Sequence, residues 1–298
     1  MQFKFNTGAE LLALCESKEQ TIYSVMISRE CEKKEVDEAT VRESMIDAYQ
    51  VMKDAIENGM DPDIKSVGGL IGGGAHKLHS YSKTHDSLAG KAMSDAISAA
   101  MAVSEVNASM GRIVAAPTAG SCGILPGALV KVALDRGIED EVIINGLFTA
   151  SAIGMLISRN ATVSGAEGGC QAETGTAAAM AAAGLVEMFG GTPASALSAA
   201  AFTIKNILGL VCDPIAGLVE CPCEKRNAIG TANAVISADM ALAGIKTIVP
   251  FDEVVEAMRS VGRIMSPTLK ETSMGGLADA PTARKLEAGI FGDDKVKS

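Results

Sequence analysis

The chain has 298 residues, of which 48% are hydrophobic, and its formal net charge is −10. An acidic chain does not neutralise phosphate groups, so the composition argues against nucleic-acid binding and against a basic membrane-surface patch. Its seven cysteines are odd in number and lie in a chain too long for a disulfide scaffold, which favours reduced thiols.

Residues 1–6 contain no apolar core of the kind that a secretory signal needs, so we expect a cytoplasmic protein. Of the 50 residues from 16 to 65, 20 are charged, which predicts surface helices. Thr40 and Glu43 form a capping-box pattern at the start of one such helix, which Gly59 is expected to end. Its apolar stripe has steps of three and four residues. The stripe comprises Val41, Met45, Ala48, Met52 and Ala55.

Glycine and proline residues predict two loops, over 68–74 and 115–127. Only six of the 71 residues from 141 to 211 are charged, so this part is expected to form the interior. Four helices are predicted around these loops. They cover 88–110, 128–135, 140–158 and 174–189.

Thr192 and Pro193 are typical of a helix start, with Thr as the N-cap and Pro in the first turn. The pattern predicts that this helix carries Cys212 at its end. The run 194–212 is the longest apolar segment, but Lys205 interrupts it. We therefore expect a buried core helix here and no membrane span anywhere in the chain.

Two further helices are predicted, over 228–245 and from the cap Asp252 through Met265, followed by a polar tail. No segment shows the period-two alternation of a strand. The sequence thus predicts an all-α protein, a single compact Ala- and Gly-rich helical domain over 1–298 with glycine-rich active-site loops. Its N-terminal helical section, about 1–65, is expected to be either mobile or docked.

Three cysteines lie at breaks in the chain, Cys170, Cys212 and Cys223. Three thiolates can hold three irons of a four-iron cluster and leave the fourth iron free as a Lewis acid. Cys221, two residues before Cys223 across a proline, allows another interpretation. The four thiolates together could form a closed tetrahedral zinc site, and their spacing leaves both possibilities open.

The segment 117–121 carries the hydroxyls of Thr118 and Ser121 beside Gly120, and such a loop can bind a carboxylate. Equally, it could simply turn the chain. We expect Cys122 to be a small packing residue, and Lys77 to be a possible anion anchor. The histidines are expected to be solvated or locally bonded. They are His76, His79 and His85.

Five stretches together carry a specific resemblance. They are 107–111 (NASMG), 116–121 (APTAGS), 164–173 (SGAEGGCQAE), 210–220 (LVCDPIAGLVE) and 222–228 (PCEKRNA). Over essentially its full length the chain resembles the α subunit of the iron–sulfur-dependent bacterial L-serine dehydratases. The resemblance implies an α-helical fold and a 4Fe-4S cluster bound by Cys170, Cys212 and Cys223. It also implies L-serine as the substrate and a β subunit as the partner.

Several residues depart from the family pattern. Cys221 stands where the family has an apolar residue, which makes it a bystander, and Gly74 stands where the glycine loop ends in Asp. Lys77 falls on a motif position, unlike the histidines. The Ser-Ser-Ser-His-Thr stretch of the family's β part does not occur here, so the chain resembles half of an enzyme. The C-terminal segment 293–298 has no cysteine, which implies an open fourth iron.

The resemblance implies that L-serine is dehydrated to pyruvate and ammonia with Lewis-acid help in expelling hydroxide. Thr118, Gly120 and Ser121 are candidates for binding the substrate carboxylate. The base is expected from the partner's histidine, with Lys77 as a candidate within this chain. Two alternatives are cysteine desulfidation by the same elimination and a zinc-stapled, non-catalytic helical subunit.

Overall fold

A computed structural model describes residues 2–292, and within that range it contains thirteen α-helices and no β-strand. The fold class is therefore all-α, as predicted. The N-terminal half contains α1 (Gly8–Lys18), α2 (Ile22–Lys34), α3 (Glu38–Asn58), α4 (Gly74–Thr84), α5 (Lys91–Ala108), α6 (Val132–Asp135) and α7 (Asp140–Asn160). The C-terminal half contains α8 (Gly165–Gly168), α9 (Cys170–Met188), α10 (Pro193–Asn206), α11 (Cys223–Leu242), α12 (Phe251–Ile264) and α13 (Pro281–Phe291).

The helix α9 lies at the centre of the core, packed by α7, α10 and α11. Small residues bring these helices together, since a Cβ on Gly184 would lie 2.7 Å from the carbonyl oxygen of Gly146 on α7. Such a close approach is what an Ala- and Gly-rich interior allows. The core is a continuous cluster of buried apolar side chains that reaches from Phe5 to Met258.

The N-terminal helices are docked onto this core. The Asp252 carboxylate of α12 accepts hydrogen bonds from the backbone N–H groups of Gly8 (2.6 Å) and Ala9 (2.9 Å) at the start of α1. Glu187 of α9 likewise accepts from the N–H of Ile22 at 2.5 Å. A carboxylate at a helix N-terminus pairs with donors that the helix itself leaves free. Of the two expectations for this section, docking is the one observed.

One helix is long and apolar enough to cross a membrane by length and composition, α7 with 21 residues. It is not the segment 194–212 that the sequence singled out. Within its most apolar stretch 67% is buried by the rest of the protein, as in a core helix.

Several predicted helix boundaries are wrong. Asp37, not Thr40, is the N-cap of α3, because its side chain accepts the N–H of Thr40. The predicted loop 115–127 turns helical early, with a π-helical stretch Pro126–Lys131 leading into α6. Pro250, not Asp252, is the cap position of α12.

Near the cysteines the boundaries also differ. The helix α10 ends at Asn206, so Cys212 lies beyond it in extended backbone, where it pairs with Lys270 in an isolated parallel bridge. Two helices begin earlier than predicted, at Cys170 and Cys223. The polar tail holds α13, which the sequence analysis missed. The C-terminal segment 293–298 lies outside the described residues.

Candidate active site

The three predicted cysteines occupy special backbone positions. Cys170 is the first residue of α9, and Gly169 before it has φ of 79°, a value that favours glycine. Cys223 is the first residue of α11. Between them in sequence, Cys212 is held by a hydrogen bond from its own N–H to the carbonyl oxygen of Leu269 at 2.9 Å.

The fold brings these thiols together. Burial raises the pKa of Cys212 and of Cys223 far above the ordinary thiol range, and the charge of Cys170 raises both further. Burial also raises the pKa of Cys170, while the Arg226 guanidinium acts in the opposite direction. The thiols are free, and a metal that binds them would displace their protons.

Arg226 ties this region together from α11. It donates to the carbonyl oxygen of Val211 at 2.7 Å and to the Asp213 carboxylate at 2.6 Å. Asp213 also accepts from the N–H of Leu277 at 2.7 Å, which fastens the C-terminal part of the chain to the segment beside Cys212. The segment is thus fixed on both sides of the thiol.

A half-buried carboxylate that the sequence analysis did not select joins the cysteines to the predicted substrate loop. Glu173, one turn into α9, accepts a hydrogen bond from the Thr118 hydroxyl at 2.8 Å. A Cβ on Gly165 would lie 2.7 Å from Glu173 Oε2 and 2.8 Å from Cys212 Sγ, so this carboxylate and this thiol flank one point. Burial raises the pKa of Glu173, although the bond from Thr118 opposes that effect. The sequence marks Glu173 in only one way, as one of the six charged residues in the stretch 141–211.

The loop itself is anchored to α11. Asn227, one turn after Cys223, donates to the carbonyl oxygen of Gly120 at 2.8 Å and accepts from the N–H of Gly123 at 2.9 Å. The Ser121 hydroxyl lies 3.2 Å from Thr118 Oγ1, and the Ser121 side chain is fully buried. Thr118 and Gly120 are half-buried, so they form the more accessible edge of the loop.

Lys77 lines a different cavity, of about 420 Å³, with the glycine loop, Glu224 and Lys225. Glu224 follows Cys223 in the chain, so this cavity adjoins the N-terminus of α11. Among the described residues Lys77 makes no hydrogen bond or ion pair with Thr118 or Glu173, and it lies with the glycine loop instead.

The remaining candidates behave as local structure. His76 contacts the carbonyl oxygen of Met60 at 3.1 Å, and His85 stacks on Tyr81 with ring centroids 4.5 Å apart. His79 lies 3.4 Å from a carboxylate oxygen of Asp95. His76 and His85 are locally bonded, as predicted, whereas Nδ1 of His79 is buried without a hydrogen-bond partner. Cys122 is buried in the core cluster as a packing residue, with a pKa that burial raises to about 12.

Three thiols are a donor set of the kind that an iron–sulfur cluster takes. Within residues 2–292, no three His, Cys, Asp or Glu side chains are spaced to share a single metal ion, as tetrahedral zinc requires. A cluster needs each thiolate on a separate iron, so its ligands stand further apart. Gly165 brings the backbone close to the thiol, because a Cβ there would lie only 2.8 Å from Cys212 Sγ.

Cys221 differs from the other three cysteines. The charged groups that shift the pKa of Cys221 are Lys225, Glu224, Arg226 and Asp213. The pKa of Cys212 and that of Cys223 are instead both raised by Cys170. The Cys221–Pro222 peptide bond is cis. This arrangement agrees with Cys221 as a bystander.

The fold and site define an all-helical protein whose buried thiols lie beside a carboxylate and a hydroxyl-bearing loop. Comparison with known families then identifies the group: the chain belongs to the serine dehydratase alpha chain family, whose model matches residues 17–278.

Individual relatives agree. The chain is 49% identical over 288 residues to a probable L-serine dehydratase, alpha chain, of Bacillus subtilis, covering 97% of this chain and 96% of the relative. It is 47% identical over 282 residues to the L-serine dehydratase, alpha chain, of Peptoniphilus asaccharolyticus, covering 94% and 96%. It is also 40% identical to L-serine dehydratase TdcG of Escherichia coli, covering 93% of this chain and 62% of that relative.

Proposed function

We propose that this chain is the α subunit of an L-serine ammonia-lyase and acts in the cytoplasm with a β subunit to convert L-serine to pyruvate and ammonia. The observation that carries the proposal is that Glu173 lies beside Cys212 at Gly165 and is bonded there by the Thr118 hydroxyl of the predicted loop. Relatives named L-serine dehydratase, alpha chain, support the substrate and the need for a second chain. The E. coli relative is longer than this chain, which matches 62% of it, and this difference agrees with the need for a second part.

In this proposal Cys170, Cys212 and Cys223 hold a 4Fe-4S cluster. When bound, the cluster supplies a Lewis acid that assists departure of the substrate's β-hydroxyl. Arg226 keeps the segment 211–213 in place beneath Cys170 through its bonds to Val211 and Asp213. These contacts orient the ligands in the way that outer partners orient metal ligands elsewhere.

The substrate's two charged groups find complementary partners around the loop. Thr118 and Gly120, backed by Ser121, offer hydroxyl and backbone groups to the carboxylate. Glu173, half-buried and hydrogen-bonded by the neutral Thr118 hydroxyl, offers its negative charge to the ammonium group. A carboxylate in a partly desolvated site binds an ammonium group more strongly than it would in water.

The Cα proton must be removed by a base within hydrogen-bond reach of the bound substrate. We assign this role to the histidine of the partner's Ser-Ser-Ser-His-Thr stretch. Lys77 is the candidate base within this chain. It lies in the neighbouring cavity, so a substrate bound at the loop 117–121 would have to reach past the N-terminus of α11 to contact it. Elimination gives aminoacrylate, which tautomerises and hydrolyses to pyruvate and ammonia without further help.

The test uses the α chain purified anaerobically with its β partner. Iron and acid-labile sulfide are quantified, and L-serine and L-cysteine are offered separately, with pyruvate, ammonia and sulfide as readouts. We expect iron with sulfide and a preference for serine. A preference for cysteine would support the desulfidase alternative, and one zinc per chain without sulfide would support the structural one.

A matched pair of threonine variants tests the loop. Thr118→Val should raise the KM for serine about tenfold or more, the effect of losing a hydrogen bond to a charged group. Thr203→Val is the control, because that hydroxyl is also buried but bonds the carbonyl oxygen of Ala200 within α10. Equal KM values for the two variants would remove Thr118 from the substrate site.

A further inference from the structure

A second site lies away from the cysteines, in a pocket of about 530 Å³ between α2, α3 and α7. Its lining is apolar and rich in methionine, a side chain that adapts its shape to flexible ligands. Six of the lining residues are Met26, Met45, Met52, Leu147, Met155 and Met180. A cavity of this size falls in the range of small-molecule sites.

The mouth of the pocket is cationic. Arg29, Lys33 and Lys34 line it together with one acid, Glu30, which leaves a net charge of plus two. Glu30 pairs with Arg29 at 2.8 Å and with Lys34 at 3.3 Å. Among the described residues Lys33 has no ion-pair partner, so its charge is available to a ligand.

An unsatisfied donor lies at the same place. The Nε atom of Arg29 is buried and has no hydrogen-bond partner, although its Nη1 atom bonds Glu30. A buried N–H without an acceptor is costly, so a negative charge bound nearby would stabilise this guanidinium. Because the guanidinium offers donors in a planar fork, one carboxylate can take several of them.

We propose that this pocket binds a linear aliphatic carboxylate, with its chain among the methionines and its carboxylate on Arg29 and Lys33. The occupant is a single chain, not a partner's helix, because the apolar lining residues lie deep below the surface. Val41, Met52 and Phe148 are each at most 5% exposed, whereas a helix with its side chains is about 10 Å across. This binding does not depend on the proposed reaction.

The pocket also touches the substrate loop from behind. Its wall includes Val114, Ala116 and Pro117, and Pro117 leads directly into Thr118. Occupancy should therefore restrain this segment, which hydrogen exchange of residues 113–118 would report without any assay of turnover.

The experiment is calorimetric titration of sodium decanoate, below its micellar concentration, into the complex of this chain with its β partner. We expect saturable binding that weakens about fourfold for each methylene removed from the ligand. Decyltrimethylammonium, with the same chain and the opposite charge, should not bind. Equal binding of the cation, or affinity independent of chain length, would overturn the proposal.

Two variants test the site from different sides. Arg29→Met should weaken decanoate binding at least tenfold, the effect of losing a charged hydrogen bond. Ser151→Phe should abolish binding by filling the pocket from α7. Arg259→Met is the control, because this exposed arginine lies on α12 and bonds only Glu256. Wild-type affinity in both pocket variants, with melting temperatures matching the control, would overturn the assignment.

Discussion

Gly165 offers the sharpest test of how closely the thiols and the carboxylate are packed. Its backbone is helical, so alanine fits the local conformation, and any destabilisation must come from steric clashes with neighbouring side chains. A Cβ there would lie 2.8 Å from Cys212 Sγ and 2.7 Å from Glu173 Oε2. These distances are far inside the roughly 3.5–4.0 Å of a favourable nonbonded contact.

Overpacking of this kind costs about 1–3 kcal/mol, against a helix-propensity gain of up to about 1 kcal/mol for Gly→Ala. We therefore expect Gly165→Ala to lose about 1–2 kcal/mol of unfolding free energy. Because Cys212 or Glu173 would have to move to relieve this clash, the variant should also retain less iron and sulfide per chain.

The control is Gly175→Ala within α9, where a Cβ would meet Ile207 at an ordinary 3.4 Å. That variant should keep its metal content and gain slightly in stability, because alanine favours the helix. Melting temperature and iron analysis on anaerobically purified protein measure both effects. A Gly165→Ala protein with full iron content and a melting temperature no lower than wild type would refute the packing described for this point.

Two buried acids give further predictions. Burial and a hydrogen bond to Glu224 raise the pKa of Glu105 to about 7, so the folded state holds this proton more tightly than the unfolded state. The stabilisation is complete below about pH 4.5 and is lost as the pH rises through 7. In the Glu105→Gln variant the melting temperature should therefore fall less over this pH range. An unchanged dependence of melting temperature on pH would contradict this prediction. Glu220 accepts from the Ser66 hydroxyl and from the N–H groups of Gly68 and Leu70. Glu220→Gln should therefore lower the free energy of unfolding by about 2–3 kcal/mol and speed hydrogen exchange over 66–71. The control Glu256→Gln, at a half-exposed position on α12, should change both quantities little. Equal effects of the two variants would mean that Glu220 does not hold this segment in place.

Helical content was predictable because the apolar stripes have the helical period, as in α3, where Val41, Met52 and Ala55 are buried. The start of that helix was not, since Asp37 and Thr40 are both good N-caps and only the folded backbone chooses between them. The helix boundary at Pro126 was also not predictable. Pro126 suggests a loop, yet it is the first residue of a π-helical stretch.

The site was predictable only in part. The cysteines and the loop 117–121 stand out by residue type and by resemblance, and in the structure Glu173 lies between them, bonded by Thr118 and beside Cys212 at Gly165. Glu173 was missed because nothing local to it shows that its side chain turns toward that loop across 55 residues. Lys77 lies on a motif position, but tertiary packing places it in the adjoining cavity.

The most direct test of the proposed centre is iron and acid-labile sulfide analysis of two cysteine variants that differ by two positions. Cys223→Ala removes a thiol coupled to Cys170, whereas Cys221→Ala removes one whose neighbours are Lys225 and Glu224. Loss of iron, sulfide and visible absorbance in the first variant, with all three retained in the second, is the predicted result. Retention in Cys223→Ala with loss in Cys221→Ala, or no iron in either variant or the parent, would contradict the account.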